Sequence, residues 1–186
     1  MSSHWDFSAC HAGVYYGCEH ELRTSSSHKM VVALQKYLPG QVACLQEGGG
    51  FVNNLRVWEN LILPAWYHES VSLPVLEIRV AAALNQLGVA REERLSLMAA
   101  LPASLSRAQR RTLALVRTLV QSPAWLVVEV EWLAWLNGAA DIHCKEAFAA
   151  LLRQCPALLL GAGAMQHAES LPLMSAAIIE ESHAVA

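Results

Sequence analysis

The residues of this chain able to do chemistry are few and scattered. Cys10, His11, Cys18 and His20 are zinc-competent ligand types in one N-terminal stretch, but no C-x-x-C or H-x-x-x-H pair fixes their geometry, so no metal site is expected. Glu47–Gly50 supplies the one glycine run, "EGGG", and glycines let backbone amides approach a phosphate. No lysine follows it, so the run lacks the charge that completes such a cradle. Lys29, in "TSSSHKM", reads as a solvated lysine at a helix start. Glu129 closes an apolar run as a polar strand terminus, and Arg107, Arg110 and Arg111 read as the solvated face of a helix start. Trp132 and Trp135 are different: two large aromatics in one short stretch must be covered, by a partner or by the domain's own site.

The elements that must position these residues belong to one domain. A chain of 186 residues buries roughly 70% of its unfolded surface in a single core. With 54% hydrophobic residues it is greasier than most soluble domains, yet its longest apolar run, Ala157 to Met165, falls far short of the ~20 residues a membrane span needs. The N-terminus "MSSHWDFSAC" has neither a basic nor an apolar leader region, which predicts a soluble, unsecreted protein. A formal charge of -3 and the absence of a basic stripe argue against nucleic acid as a partner. Five cysteines at irregular spacing predict reduced thiols and a cytoplasmic home.

"VYYGCEHEL" suggests a short strand and "TSSSHK" a polar turn. In "MVVALQKYL", Val31, Val32, Leu34 and Leu38 have helical spacing, closed by Pro39-Gly40. "QVACLQ" is a strand, "EGGGFVNN" a loop, and "RVWENLILPAWYH" a helix interrupted at Pro64. Leu76, Val80, Leu84 and Leu87 share one helix face that ends at Gly88, and "REERLSLMAALP" begins another helix. Ser104 or Ser106 caps the next, whose buried face carries Leu115, Val116 and Leu119. "AWLVVEV", apolar at nearly every position, is a strand covered on both faces, as in a parallel sheet. "KEAFAALLRQ" (helix), "ALLLGAG" (strand) and "AAIIEE" (a last strand) continue the alternation of an α/β layered domain.

In order and spacing, "CLQEGGGFVNNLRVWENLILPAWYH", "LPASLSRAQRRTLALVRTLVQSPAWLVVEVE" and "ALLLGAGAMQHAESL" resemble the ATP-binding subunits of ABC transporters, over about residue 42 to the end. The resemblance implies a P-loop-NTPase-like layered domain with a mainly parallel sheet, a reduced N-terminal part and a helical subdomain at about residues 55–104, all within one domain, 1–186. It places Gln46 at the Q-loop, Ser106 and Gln109 in the signature, and Glu129 where an aspartate orients magnesium. Lys29 would mark the old P-loop lysine, followed by Met30 where a hydroxyl belongs. "NLRVWENLILPAWYH" is similar to the family's segment that leads into docking on a transmembrane partner, in phrasing closest to the lipid and lipoprotein trafficking branch. Trp58, Trp66, Trp132 and Trp135 are therefore expected to face a partner.

The same resemblance exposes what is missing. "LSRAQ" carries Arg107 and Ala108 in place of two glycines, Val130 replaces the glutamate that polarises water, and Gly163 stands at the switch histidine, with His167 four residues late. "EWLAWLN" replaces the polar loop that follows the strand. The resemblance thus implies a degenerate, non-hydrolysing subunit with no catalytic residue, no metal and no cofactor, ATP and magnesium being doubted. Its partner would be a transmembrane permease subunit, a homologous ATP-binding subunit or a second copy in a homodimer, at the inner face of the cell membrane. The alternatives are an active ATPase with an atypical site, and a stand-alone interaction protein on a reused scaffold.

Overall fold

The computed structural model describes residues 5–17 and 24–172. Cys18, His20 and the segment "AAIIEE" lie outside the described residues. Strands β1 (Tyr15–Gly17), β2 (Val42–Leu45), β3 (Trp125–Glu129), β4 (Ala157–Leu160) and β5 (Glu169–Ser170) form one sheet in the order β2-β3-β4-β1-β5. Every pairing is parallel, with Val42 opposite Trp125 and Ala157 between Leu126 and Tyr15. The domain is therefore α/β and layered, as the valine-rich, unbroken β3 requires: four of its five residues are buried.

Side chains alternate across the strands and so feed two cores. Ala43, Leu45, Leu126, Val128, Ala157 and Leu159 point to the larger one, beneath α2 (Val57–Glu69), α3 (Leu73–Gln86), α5 (Arg107–Gln121), α6 (Val130–Gly138) and α7 (Ile142–Leu152). Tyr16, Trp125, Val127 and Leu158 point to the smaller one, covered by Met30 and Leu34 of α1 (Thr24–Tyr37) and by Phe7, whose ring meets Trp125 edge-on at 5.6 Å. The short helix α4 (Arg91–Ala99) buries none of its residues fully and joins α3 to α5 through a 3-10 turn at Pro102–Ser104.

Three elements depart from the sequence expectation, and one short strand adds to it. "TSSSHK" is no turn: α1 begins at Thr24 and takes the polar stretch as its first turns. Pro64 does not interrupt α2, because Val57, Leu61 and Ala65 form a fully buried stripe whose packing outweighs the ~3 kcal/mol an interior proline costs. "EWLAWLN" is helix α6, with Trp132, Leu133 and Leu136 buried at helical spacing. The last described strand is Glu169–Ser170, an exposed pair at the sheet edge, after which the Leu171 N–H donates to Gly17 O at 2.8 Å.

Candidate functional site

With all strands parallel, their carboxyl ends share one edge of the sheet, where open α/β sheets hold ligands. From β1 the chain crosses to the far edge at β2, whereas from β4 it passes over β1 to β5, so the topological switch lies between β4 and β1. The segment after β4 folds down onto that point. A Cβ added at Gly17 would lie 2.8 Å from Met165 Sδ and 3.4 Å from Ala168 Cβ, so these side chains sit over the end of β1, where a phosphate cradle would begin. His167 is exposed beside the same place and, with Tyr15, Val130, Leu133, Ala134 and Asn137, lines a cavity of about 400 Å³.

Lys29 does not stand at this point. It is exposed in the second turn of α1, whereas a P-loop lysine belongs at the mouth of the helix, immediately before its first turn. The stretch that joins β1 to α1 carries a spacing that the sequence reading passed over. Gly17 ends β1 and Thr24 opens α1, and the chain between reads Gly17-Cys18-Glu19-His20-Glu21-Leu22-Arg23-Thr24. Its length matches G-x-x-x-x-G-K-[ST], with Leu22 for the second glycine and Arg23 for the lysine. The findable signal was spacing rather than composition.

Gln46 opens a loop, residues 46–51, that follows β2 and is tied to the end of β3 and to α5. Glu129, at the end of β3, accepts the Glu47 N–H with Oε2 at 2.6 Å. Glu47 in turn receives Arg111 at Oε1, 3.0 Å away, and lies 3.8 Å from the largely exposed Arg107. Arg111 also lies 5.8 Å from the centre of the half-buried Trp135 ring. Further along α5, Arg117 donates to Gly50 O at 2.7 Å and Gly49 O at 2.8 Å while its guanidinium stacks 5.1 Å above Phe51. Gly49 and Gly50 have φ of +81° and +61°, and a Cβ on Gly49 would meet the Phe51 ring at 2.5 Å, so the tight turn requires glycine. The glycine run is thus a turn, and the arginines read as solvated are in part its clamps.

Asn60, almost fully buried in α2, holds the other end of the same segment. Its Oδ1 accepts the Val52 N–H at 2.7 Å and its Nδ2 donates to Val52 O, Leu55 O and Arg56 O at 3.0–3.1 Å. Gln46 itself is exposed. Ser106 and Gln109 cap α5 for each other: Ser106 Oγ accepts the Gln109 N–H at 3.2 Å and Gln109 Oε1 accepts the Ser106 N–H at 2.9 Å, a capping box. Of the two candidates for that cap, Ser106 is the one used.

The tryptophans divide. Trp66 and Tyr67 are exposed on α2, and Leu73, Val75 and Ile78 are exposed on α3. Trp58 is half-buried. Trp132 does not face outward, contrary to expectation: it is fully buried, 5.3 Å from Phe148 and 5.6 Å from Trp135, because α6 turns its apolar stripe onto the core. Its indole Nε1–H has no hydrogen-bond partner. Among the described residues no cluster of His, Cys, Asp or Glu is arranged to hold a metal.

No protein-family model matches the chain. No curated protein matches it either. Solved structures do: one of an ATP-binding subunit of an ABC transporter aligns with 94% of this chain and 83% of its own, at a TM-score of 0.59 and 14% identity. The fold is ABC-ATPase-like. As 441 solved chains match this chain, the scaffold is widely shared and does not by itself fix function.

Proposed function

We propose that this chain is a non-hydrolysing relative of ABC transporter ATP-binding subunits, serving as a structural or regulatory subunit of a membrane transport complex. The carrying observation is the use of Glu129: the carboxylate at the metal-orienting position is engaged by the Glu47 N–H, and the next residue, Val130, offers no base to a water. Met165 over the end of β1 supports the same reading. The surface that would meet a transmembrane partner is the exposed apolar group on α2 and α3, Trp66, Tyr67, Leu73, Val75 and Ile78, whose exposure is costly for a protein without a partner. Among the described residues no helix is long and apolar enough to cross a membrane. The "NLRVWENLILPAWYH" phrase supports lipid or lipoprotein trafficking as the setting. Copurification tests the proposal: the chain should come down with a permease from detergent-solubilised membranes and release no phosphate from Mg-ATP. Recovery of the intact complex without it, or sustained hydrolysis by the pure chain, overturns it.

A second reading, nucleotide binding without turnover, is favoured by one observation. The connection from Gly17 to Thr24 keeps P-loop length and places a cation, Arg23, at the lysine position. Titration with Mg-ATP separates the two: binding lost in Arg23→Ala and kept in Lys29→Ala supports the second reading.

A further inference from the structure

On the outer edge of the sheet, away from the switch point, lies a cavity of about 470 Å³ between the end of α1, the strand β2 and the helices α2 and α5. Its wall includes Gln35, Val42, Cys44, His68, Arg117 and Gln121. Three features set it apart from an ordinary surface cleft.

The first is an unneutralised cation. Arg117 carries five N–H donors, and they bond to three neutral carbonyls, Gly49 O, Gly50 O and Cys44 O. Among the described residues no carboxylate lies within ion-pair distance of it: Glu47 is held by Arg111, and Glu69, in the adjoining part of the cleft, is paired with Arg79 at 2.8 Å. Burial pushes the guanidinium below its ordinary value, which is the mark of a charge short of counter-charge.

The second is the strand edge. In the β2–β3 register the carbonyls of Val42 and Cys44 turn away from β3, toward Gln121 Nε2 at 3.1 Å and Arg117 at 3.5 Å. A strand residue's N–H and C=O point to the same side, so the amides of Val42 and Cys44 face outward as well, and both residues line the cavity. Edge amides beside a half-buried guanidinium are the donors an oxyanion requires.

The third is the composition of the rest of the wall. Gln35 and His68 add side-chain donors, while Pro39 and Pro64 give an apolar surface for the body of a ligand. The volume is in the range of small-molecule sites.

The geometry points to this edge cavity as a binding site for a small organic oxyanion, a carboxylate or phosphate monoester, held by Arg117 and the outward amides of β2. The site is separate from the nucleotide position and stands whether or not that position binds anything.

The test uses the full chain and three probes of similar size: phenyl phosphate, benzoate and the neutral benzyl alcohol. Calorimetric titration should show saturable binding of the two anions and none of the alcohol. Bound anion should slow alkylation of Cys44 by iodoacetamide, read peptide by peptide by mass spectrometry, without changing the rates at Cys144 and Cys155, which are buried elsewhere. Arg117→Lys should weaken the anions by about tenfold or more, since a lysine loses the planar fork. As Arg117 also clamps the loop at Gly49 and Gly50, the decisive variant is Gln35→Glu, on the exposed face of α1, which places a carboxylate at the rim. It should leave thermal unfolding unchanged and abolish both the anion binding and the protection of Cys44. Absence of binding at about 10 mM, where even a weak site would register, overturns the inference. So does equal binding of benzyl alcohol, or protection that survives in Gln35→Glu.

Discussion

Glu129 and Glu47 are joined by a 2.6 Å bond in which the carboxylate of one takes the backbone N–H of the other. The bond ties the end of β3 to the loop after β2, between two strands already paired side by side. It is charge-assisted and half-buried, so removing the acceptor costs more than a typical neutral bond. Glu129→Ala should lower stability by about 2 kcal/mol in urea unfolding. Glu129→Gln, which keeps an acceptor oxygen, should lose roughly half as much. Hydrogen exchange at the Glu47 amide should accelerate in the first variant and little in the second. Equal, negligible losses in both would mean that the bond does not hold the loop.

Arg111 and Arg117 clamp the same loop under different conditions of solvent. The Arg111–Glu47 pair ends on a carboxylate whose side chain is 46% exposed, so Glu47→Ala should cost less than about 1 kcal/mol and the cost should shrink in high salt. Arg117 is half-buried and holds neutral carbonyls and the Phe51 face. Arg117→Ala should cost about 3 kcal/mol, with little salt dependence, because it leaves carbonyls unpaired. Paired denaturation curves at low and high sodium chloride check both.

How much of this was legible in the sequence depends on the kind of signal. β3 could be read because a strand buried on both faces leaves a nearly unbroken apolar run, and α3 because Leu76, Val80, Leu84 and Leu87 recur with helical spacing. α6 was not legible because the resemblance puts a loop at "EWLAWLN", although Trp132, Leu133 and Leu136 fit one helix face. Pro64 misled for the opposite reason: local propensity predicts a break, and burial against α3 and α5 overrides it. The candidate site was legible in its parts and not in its connections. Ser106, Gln109, Gln46 and Glu129 are visible as residues, but the clamps Arg111 and Arg117 reach loop atoms 64 to 68 residues away in sequence, and no pattern announces such a long-range bond.

Trp132 carries a buried N–H with no partner, a donor that has lost its water without replacement. Trp132→Phe removes that penalty while leaving a ring against Phe148, so its effect should fall within about 1 kcal/mol of neutral. Trp132→Ala opens a cavity in the larger core and should cost about 4 kcal/mol. Near-equal losses in the two variants would mean that the indole nitrogen contributes to the fold after all.

The buried acids make stability fall at alkaline pH. Burial, aided by Asp6, pushes the Cys10 thiol from 9.0 to about 11, and burial alone does the same to Cys155. Burial raises the Tyr15 hydroxyl from 10.0 to about 12. The thiols of Cys44 and Cys144 are raised as well, again by burial first, with Arg117 partly offsetting the shift at Cys44 and the Thr112 hydrogen bond partly offsetting it at Cys144. In each case the folded state keeps a proton that the unfolded chain gives up sooner, so the unfolded state binds fewer protons and stability declines with pH. The contribution is complete below the unfolded values of the thiols, near 9, and drains away as pH climbs toward the folded values near 11. Urea midpoints should therefore hold level from about pH 7 to 8.5 and drop progressively above about pH 9. Cys155→Ala, which removes one of these protons from a buried position, should flatten part of that drop, and a midpoint unchanged from pH 9 to 11 in the parent would contradict the shifts.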